Sequence, residues 1–320
     1  MRLSLPPGLD ALLRDAGAAS PTVRLVAPDI GRWRAGNVLP GVWSFDSGEA
    51  GPHVGLVALT HGNEIAGAIV LDRLLREALR PSRGRLTLVF ANLDAFSRFE
   101  PEDPTASRFL EEDLNRVWDP ALLEGPRRSS ELRRARALRP VFDAADVVLD
   151  LHSMLWPSDP LFLTGTFDES VPLAASIGEP PMVVADQGHE AGQRLIDYAA
   201  RRGRRSLILE GGWHWEPETV ARMEQAVRRL LALTGVVPAE VAALPAPRLA
   251  RVTQRVTVRS QDFAFVQPWR GGVMIPEAGT LIAIDGEAEV RTPHADCLLV
   301  MPMLLAQPGQ TAVRLARLET

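Results

Sequence analysis

Residues 54–79 read VGLVALTHGNEIAGAIVLDRLLREAL, and two hydrophobic periods meet inside this stretch. From 54 to 59 the chain is an unbroken apolar run, the mark of a strand buried on both faces. Beyond Glu64, the residues Ala68, Leu71, Leu75 and Leu79 recur three or four apart, which predicts a helix over 64–80. Working outward, apolar runs at 86–90, 147–151, 161–163, 182–185 and 207–209 alternate with helical patterns at 131–142, 191–202 and 218–233. This alternation predicts an α/β fold, a mostly parallel mixed sheet with helices on both faces. Residues 23–27 and 42–45 are expected to add edge strands.

Near residue 237 the composition changes. Residues 236–250, VVPAEVAALPAPRLA, read as a linker. The short alternating segments after it, 252–258, 281–284 and 298–303, are broken by Gly271, Gly272, Gly279, Gly286 and Pro293. They predict a small C-terminal β domain. The expected division is a catalytic domain over 1–240 and a β-rich domain over 246–320.

Composition narrows the function classes. With 46% apolar and 23% charged residues over 320 positions, the chain has material for a real core and is not disordered or low-complexity. A net charge of −5 argues against a nucleic-acid partner. All 35 basic residues are arginine, which excludes catalysis by a Schiff-base lysine and a P-loop. The single Cys297 cannot close an internal disulfide. Pro6, Pro7 and the charges around them interrupt any secretory leader, and no window approaches the roughly 18 apolar residues of a membrane span. A cytoplasmic protein without membrane contact is expected, with homo-oligomerisation left open.

Four places carry chemistry. His61-Gly62-Asn63-Glu64 follows a predicted strand and opens a helix, so His61 lies at a carboxyl strand end, where open α/β sheets bind ligands. A strand-end His and a Glu three residues on can converge on one metal ion; a Glu that merely complements the helix dipole is the plainer reading. His152 closes the run ADVVLDLH in the same way, and Asp150, two residues earlier, can orient its imidazole. Two His and one Glu make the ligand set of a catalytic zinc with an open position. Glu210 closes the run LILE before Gly211 and Gly212, where an apolar wall would raise its pKa toward that of a general base, or where one of Arg201, Arg202, Arg204 and Arg205 would pair with it. Asn115 and Arg116, with Arg108 eight residues before, offer an amide and guanidinium forks for a carboxylate and an oxyanion.

HGNE, a DLNR some fifty residues later, a DLH strand end and a late strand closing on Glu occur in this order in the succinylglutamate desuccinylase/aspartoacylase family of the zinc-carboxypeptidase superfamily, which the chain resembles over residues 54–215. The resemblance implies one zinc ion per chain, bound by His61, Glu64 and His152. It implies Glu210 as general base and acid, Arg108 as the carbonyl polariser, and Asn115 and Arg116 as ligands of a substrate carboxylate. The implied reaction is hydrolysis of a small N-acylated, carboxylate-bearing amide.

The chain also departs from the family. Aspartoacylases use a C-terminal tyrosine near the substrate, and this chain has no tyrosine after Tyr198. The family's arginine shortly before the catalytic Glu has four candidates here. His214, four residues past Glu210, has no assigned role. A metallocarboxypeptidase acting on short peptides and a non-catalytic zinc-binding protein are the alternative readings.

Overall fold

A computed structural model describes residues 22–165 and 169–319. The leader expected to be absent concerns residues 1–21, which lie outside the described ones. No helix among the described residues is long and apolar enough to cross a membrane.

The strands are β1 (Val42–Asp46), β2 (His53–Ala58), β3 (Arg85–Phe90), β4 (Val147–Met154), β5 (Leu161–Thr164), β6 (Met182–Ala185), β7 (Arg205–Trp213), β8 (Arg248–Thr257), β9 (Phe263–Phe265), β10 (Met274–Ile275), β11 (Leu281–Asp285), β12 (Ala288–Arg291), β13 (Cys297–Val300) and β14 (Thr311–Leu318). The helices are α1 (Ile65–Arg76), α2 (Leu93–Phe96), α3 (Pro120–Glu124), α4 (Ser130–Ala144), α5 (Ser170–Ile177), α6 (Leu195–Ala200) and α7 (Pro217–Leu233). Eleven strands form one sheet in the order β1-β3-β2-β4-β7-β5-β6-β8-β14-β13-β10, and β12-β11-β9 form a small antiparallel sheet. β3, β2, β4 and β7 are mutually parallel. β5 runs antiparallel to β7, and β5, β6 and β8 are again parallel to one another. The expected α/β sheet with helices on both faces is the fold observed.

Period-two alternation explains how one apolar run serves two layers. Val54, Leu56 and Ala58 enter the core shared with α1, α5 and α7, whereas Val57 enters the core shared with α4 and α6. Val147 and Leu149 of β4 likewise face the first core, and Val148 faces the second.

Several boundaries differ from the sequence reading. α1 stops at Arg76, because Ala78 turns left-handed (φ 52°) and the Leu79 N–H folds back to the Leu74 carbonyl at 3.0 Å. α6 is shorter than 191–202, because Arg194 is extended at its N-terminus and held by other partners. Residues 23–27 form no strand; the Arg24 N–H reaches the Trp215 carbonyl at 3.2 Å, and Val26 stands exposed. β8 begins at Arg248, inside the stretch read as a linker, and pairs in parallel with β6 (Met182 opposite Arg248). Hydrogen bonding in the large sheet therefore runs without a break from β6 into β8, β14 and β13.

One buried carboxylate fixes the loop that precedes the DLNR motif. Glu131, in the first turn of α4, is fully buried. Its Oε1 accepts from the Leu110 N–H at 2.7 Å and from Asn92 Nδ2 at 3.2 Å. Its Oε2 accepts from the N–H groups of Glu111 and Glu112 at 3.2 and 3.3 Å. Removing the carboxylate leaves three backbone donors of one loop without an acceptor. Glu131→Ala is expected to lower the unfolding free energy by on the order of 3 kcal/mol, read from urea denaturation. A loss under about 1 kcal/mol would contradict this anchoring role.

Candidate metal centre and catalytic site

The carboxyl ends of β2 and β4 and the turn into α1 bring three side chains together. His61, Glu64 and His152 are all buried, and their ligand atoms lie within 4.8 Å of one another. Glu64 uses both oxygens. Oε1 lies 2.7 Å from His61 Nδ1 and accepts from Arg108 Nη1 at 3.1 Å. Oε2 lies 3.1 Å from His152 Nδ1 and accepts from the Ser153 N–H at 2.9 Å.

Each imidazole turns Nδ1 to Glu64 and Nε2 to an aspartate. His61 Nε2 lies 2.9 Å from Asp113 Oδ1, and His152 Nε2 lies 2.9 Å from Asp150 Oδ2. Thr60 Oγ1 donates to the other oxygen of Asp150 at 2.8 Å. Carboxylates behind imidazoles fix the ring orientation of metal ligands, so the donor set suits a divalent ion such as zinc.

The turn is possible because residue 62 is glycine. A Cβ there would come within 2.5–2.6 Å of the backbone at Phe96 N, Ser107 O and Ala95 C. Its N–H donates to the Arg108 carbonyl at 3.0 Å, which ties the HGNE turn to the loop carrying Arg108.

The electrostatics follow from burial and pairing. Burial works to raise the Glu64 pKa, but His61 and His152 outweigh it and hold the carboxyl well below its usual range. Burial likewise opposes a charged His152, and Asp150 and Glu64 prevail, holding its pKa well above normal. For Asp113, burial is outweighed by His61, Arg116 and Arg108, and its pKa falls well below the usual value. Burial also disfavours charge on Arg108, yet Asp113, Glu64 and Glu210 keep its pKa raised.

Glu210 behaves differently. It stands opposite His152 in the β4–β7 register, and its Oε2 is buried with no hydrogen-bond partner among the described residues. Burial, reinforced by Glu64 and opposed by His152, Arg314 and Arg108, pushes its pKa up to about 8. Beyond it the register shifts, since Met154 pairs with Trp213, and Gly212 (φ 140°) takes up the extra residue as a bulge. Of the four candidate arginines, Arg205 opens β7 at its far end and the others precede it; Arg202 and Arg204 pair there with Asp143 and Asp146.

Asn115 is buried, and its Oδ1 accepts from the Leu195 N–H at 3.0 Å, leaving Nδ2 without an acceptor among the described residues. Arg116 donates from Nη1 to the Asn115 carbonyl at 2.8 Å. His214 is buried behind the centre, where its Nδ1 lies 2.6 Å from Ser153 Oγ and burial lowers its pKa to about 4. Trp215 is core, its Nε1 donating to the Asn63 carbonyl at 2.9 Å.

Sequence reasoning passed over four further residues near Arg116. Asp186, at the end of β6, accepts on Oδ2 from Arg194 Nη1 at 2.9 Å and from Arg314 Nε at 2.8 Å. His189, in the loop after β6, lies against Thr311 Oγ1 and Arg314. A charge between the apolar residues Val313 and Leu315 was the one signal available for Arg314.

Buried imidazoles and a carboxylate at the strand ends of an α/β sheet form a group that could hold a metal ion, with Glu210 opposite His152 on the neighbouring strand. Residues 50–234 match the succinylglutamate desuccinylase/aspartoacylase catalytic domain, and the chain belongs to that family. The fold is similar to succinylglutamate desuccinylase from Vibrio parahaemolyticus (17% identity, TM-score 0.67, covering 88% of this chain and 87% of that one). It is also similar to the succinylglutamate desuccinylase from Chromobacterium violaceum (19% identity, TM-score 0.67, 88% and 90%). The product-bound ectoine utilization protein EutE (DoeB) from Ruegeria pomeroyi shares the fold as well (19% identity, TM-score 0.61, 84% and 86%). No curated protein matches the sequence.

The raised Glu210 pKa has a thermodynamic signature in chelator-treated protein. Between 4.5, its ordinary value, and about 8, the folded chain holds a proton on Glu210 that the unfolded chain has released. Stability contributed by this group therefore falls as pH rises across that window and levels off above it. Relative to Glu210→Gln, the unfolding temperature of the unsubstituted chain should decline from about pH 5 to about pH 8. A pH-independent difference between the two would contradict the assignment.

Proposed function

We propose that this protein is a zinc-dependent amidohydrolase that removes the acyl group from a small N-acylated, carboxylate-bearing substrate. The observation that carries the reading is the unpaired Glu210 carboxyl beside the His61–Glu64–His152 group. A purely structural metal site has use for a fourth ligand but none for a spare base. Family membership supports amide hydrolysis as the reaction class.

His61, Glu64 and His152 would hold the zinc ion, which supplies Lewis acidity for the amide carbonyl and makes a nearby water acidic. Glu210 takes a proton from the attacking water and returns it to the leaving nitrogen, so that amide and water become carboxylate and amine. Its raised pKa suits both transfers. Arg108, pointed at Glu64 and His61, donates to the carbonyl oxygen as negative charge builds there. Asn115 Nδ2 and the guanidinium of Arg116 receive the substrate carboxylate.

The test is amine release from a panel of N-acyl amino acids and short peptides. One N-acyl acid should be turned over. Glu210→Gln should cost about 10³-fold in kcat, and Arg108→Ala about 10²-fold or more. Chelation should abolish turnover and zinc restore it. Full activity in Glu210→Gln would overturn the mechanism, and preference for a peptide carboxy-terminal bond would replace the deacylase with a carboxypeptidase.

A further inference from the structure

Arg314 lies in the buried part of β14, Thr311 to Ala316, and is only 4% exposed. A guanidinium so placed needs partners. Its Nε donates to Asp186 Oδ2 at 2.8 Å and its Nη2 to His189 Nε2 at 3.2 Å; Nη1 has no acceptor among the described residues. Because His189 accepts on Nε2, its Nδ1 carries the proton donated to Thr311 Oγ1 at 2.9 Å, and the ring adds no charge. Burial and the surrounding arginines keep it neutral by lowering its pKa well below normal.

The negative charge available is thin. Asp186 serves Arg314 and Arg194 through the same oxygen, and Arg194 also takes both oxygens of Asp197 at 2.7 and 2.8 Å. For Arg116 the ion-pairing carboxylate is Asp113 at 3.9 Å, which already faces His61 and Arg108. Arg194 and Arg314 thus share one oxygen of Asp186, and Arg116 shares Asp113 with Arg108 and His61, so neither Arg314 nor Arg116 has a carboxylate to itself. Arg116 feels the crowding of like charge. Burial first, then Arg108, Arg314 and Arg194, lower its pKa to about 10 against the pull of Asp113. Arg194, which shares Asp186 with Arg314, stands between Gln193, whose N–H donates to the Arg116 carbonyl at 3.1 Å, and Leu195, whose N–H donates to Asn115 Oδ1 at 3.0 Å, so Arg314 adjoins the segment that carries the carboxylate-binding pair.

We infer that Arg314 is a second substrate-binding arginine, which closes with Arg116 on one substrate carboxylate, so that β14 of the C-terminal region completes the acid-recognition site. The inference rests on the amidohydrolase reading. A carboxylate offers two oxygens to two forks approaching from different elements, each of which otherwise has only a shared counter-ion. Neutral amides of the same shape bring no charge to these forks and bind less tightly. Asp186 is the positioning residue, holding Arg314 by Nε and leaving Nη1 free.

The experiment is calorimetric titration of zinc-loaded Glu210→Gln, which needs no turnover, with N-acetylglycine and with its neutral analogue N-acetylglycinamide. The carboxylate should bind at least about tenfold tighter than the amide. Adding Arg314→Gln should reduce that preference to within about twofold. Arg314→Lys, which keeps the charge but loses the fork, serves if the glutamine variant does not fold, and should lower it at least about threefold. Asp186→Asn keeps an oxygen that accepts from Arg314 Nε, and so its positioning, while removing a competing negative charge, and should keep or strengthen the preference. Retained preference in a folded Arg314 variant would overturn the inference, as would its loss in Asp186→Asn or its absence in the parent. Failure of amine release in the separate turnover assay would count against the hydrolase reading and leave these binding ratios to decide Arg314.

Discussion

Glu64 is a carboxylate buried among the elements that build the site, and its two oxygens decide how those elements meet. One oxygen holds the imidazole at the end of β2 and the guanidinium from the loop before DLNR. The other holds the imidazole and a backbone N–H at the end of β4. An ionised carboxyl deprived of water is tolerable only when it is paired this fully. Two strands, the first turn of α1 and the loop at 108–113 are therefore locked to one point, and Gly62 is small enough to let the backbones close on it. Asp113 and Asp150 repeat the device one step out, each held against the rear nitrogen of an imidazole.

The same low-polarity surroundings act on Glu210 with the opposite result. Glu64 gains cations, and its proton is driven off; Glu210 has none in contact, and its proton is retained. Two carboxyls on neighbouring strands are set to different tasks by what surrounds them, the pattern that separates a ligand from a base.

Much of this was legible in the chain. Strand-end histidines in HGNE and DLH, and the Glu closing LILE, are local patterns, and a parallel sheet with carboxyl ends on one side brings them together without further information. Helix and strand periods located α4, α7 and the central strands within a few residues. What was hidden depends on contacts between distant segments. Glu131 looks like an ordinary residue of a helix N-terminus until the loop at 110–112 is laid against it. Arg314 meets Asp186 across 128 positions, and His189 meets Thr311 across 122. The Pro- and Ala-rich stretch at 236–250 signals a break by composition, but pairing of β8 with β6 is decided by the edge that β6 leaves open. Ala78 ends α1 through a left-handed backbone that its side chain does not announce.

Continuity of the sheet from β6 into β8 and β14 has a further consequence, in the order of synthesis. Everything that holds Glu64, and Glu210 as well, has been translated by the end of β7. Arg314 follows about a hundred residues later, some 5–20 s at ordinary elongation rates. A growing chain therefore has the residues of its centre in hand before the strand that carries Arg314 exists. Until β8 is made the edge of β6 is unpaired, and until β14 is made the counter-ion of Asp186 is missing from one side. The latest-made part of the protein is the part that both seals the sheet and narrows what the centre accepts.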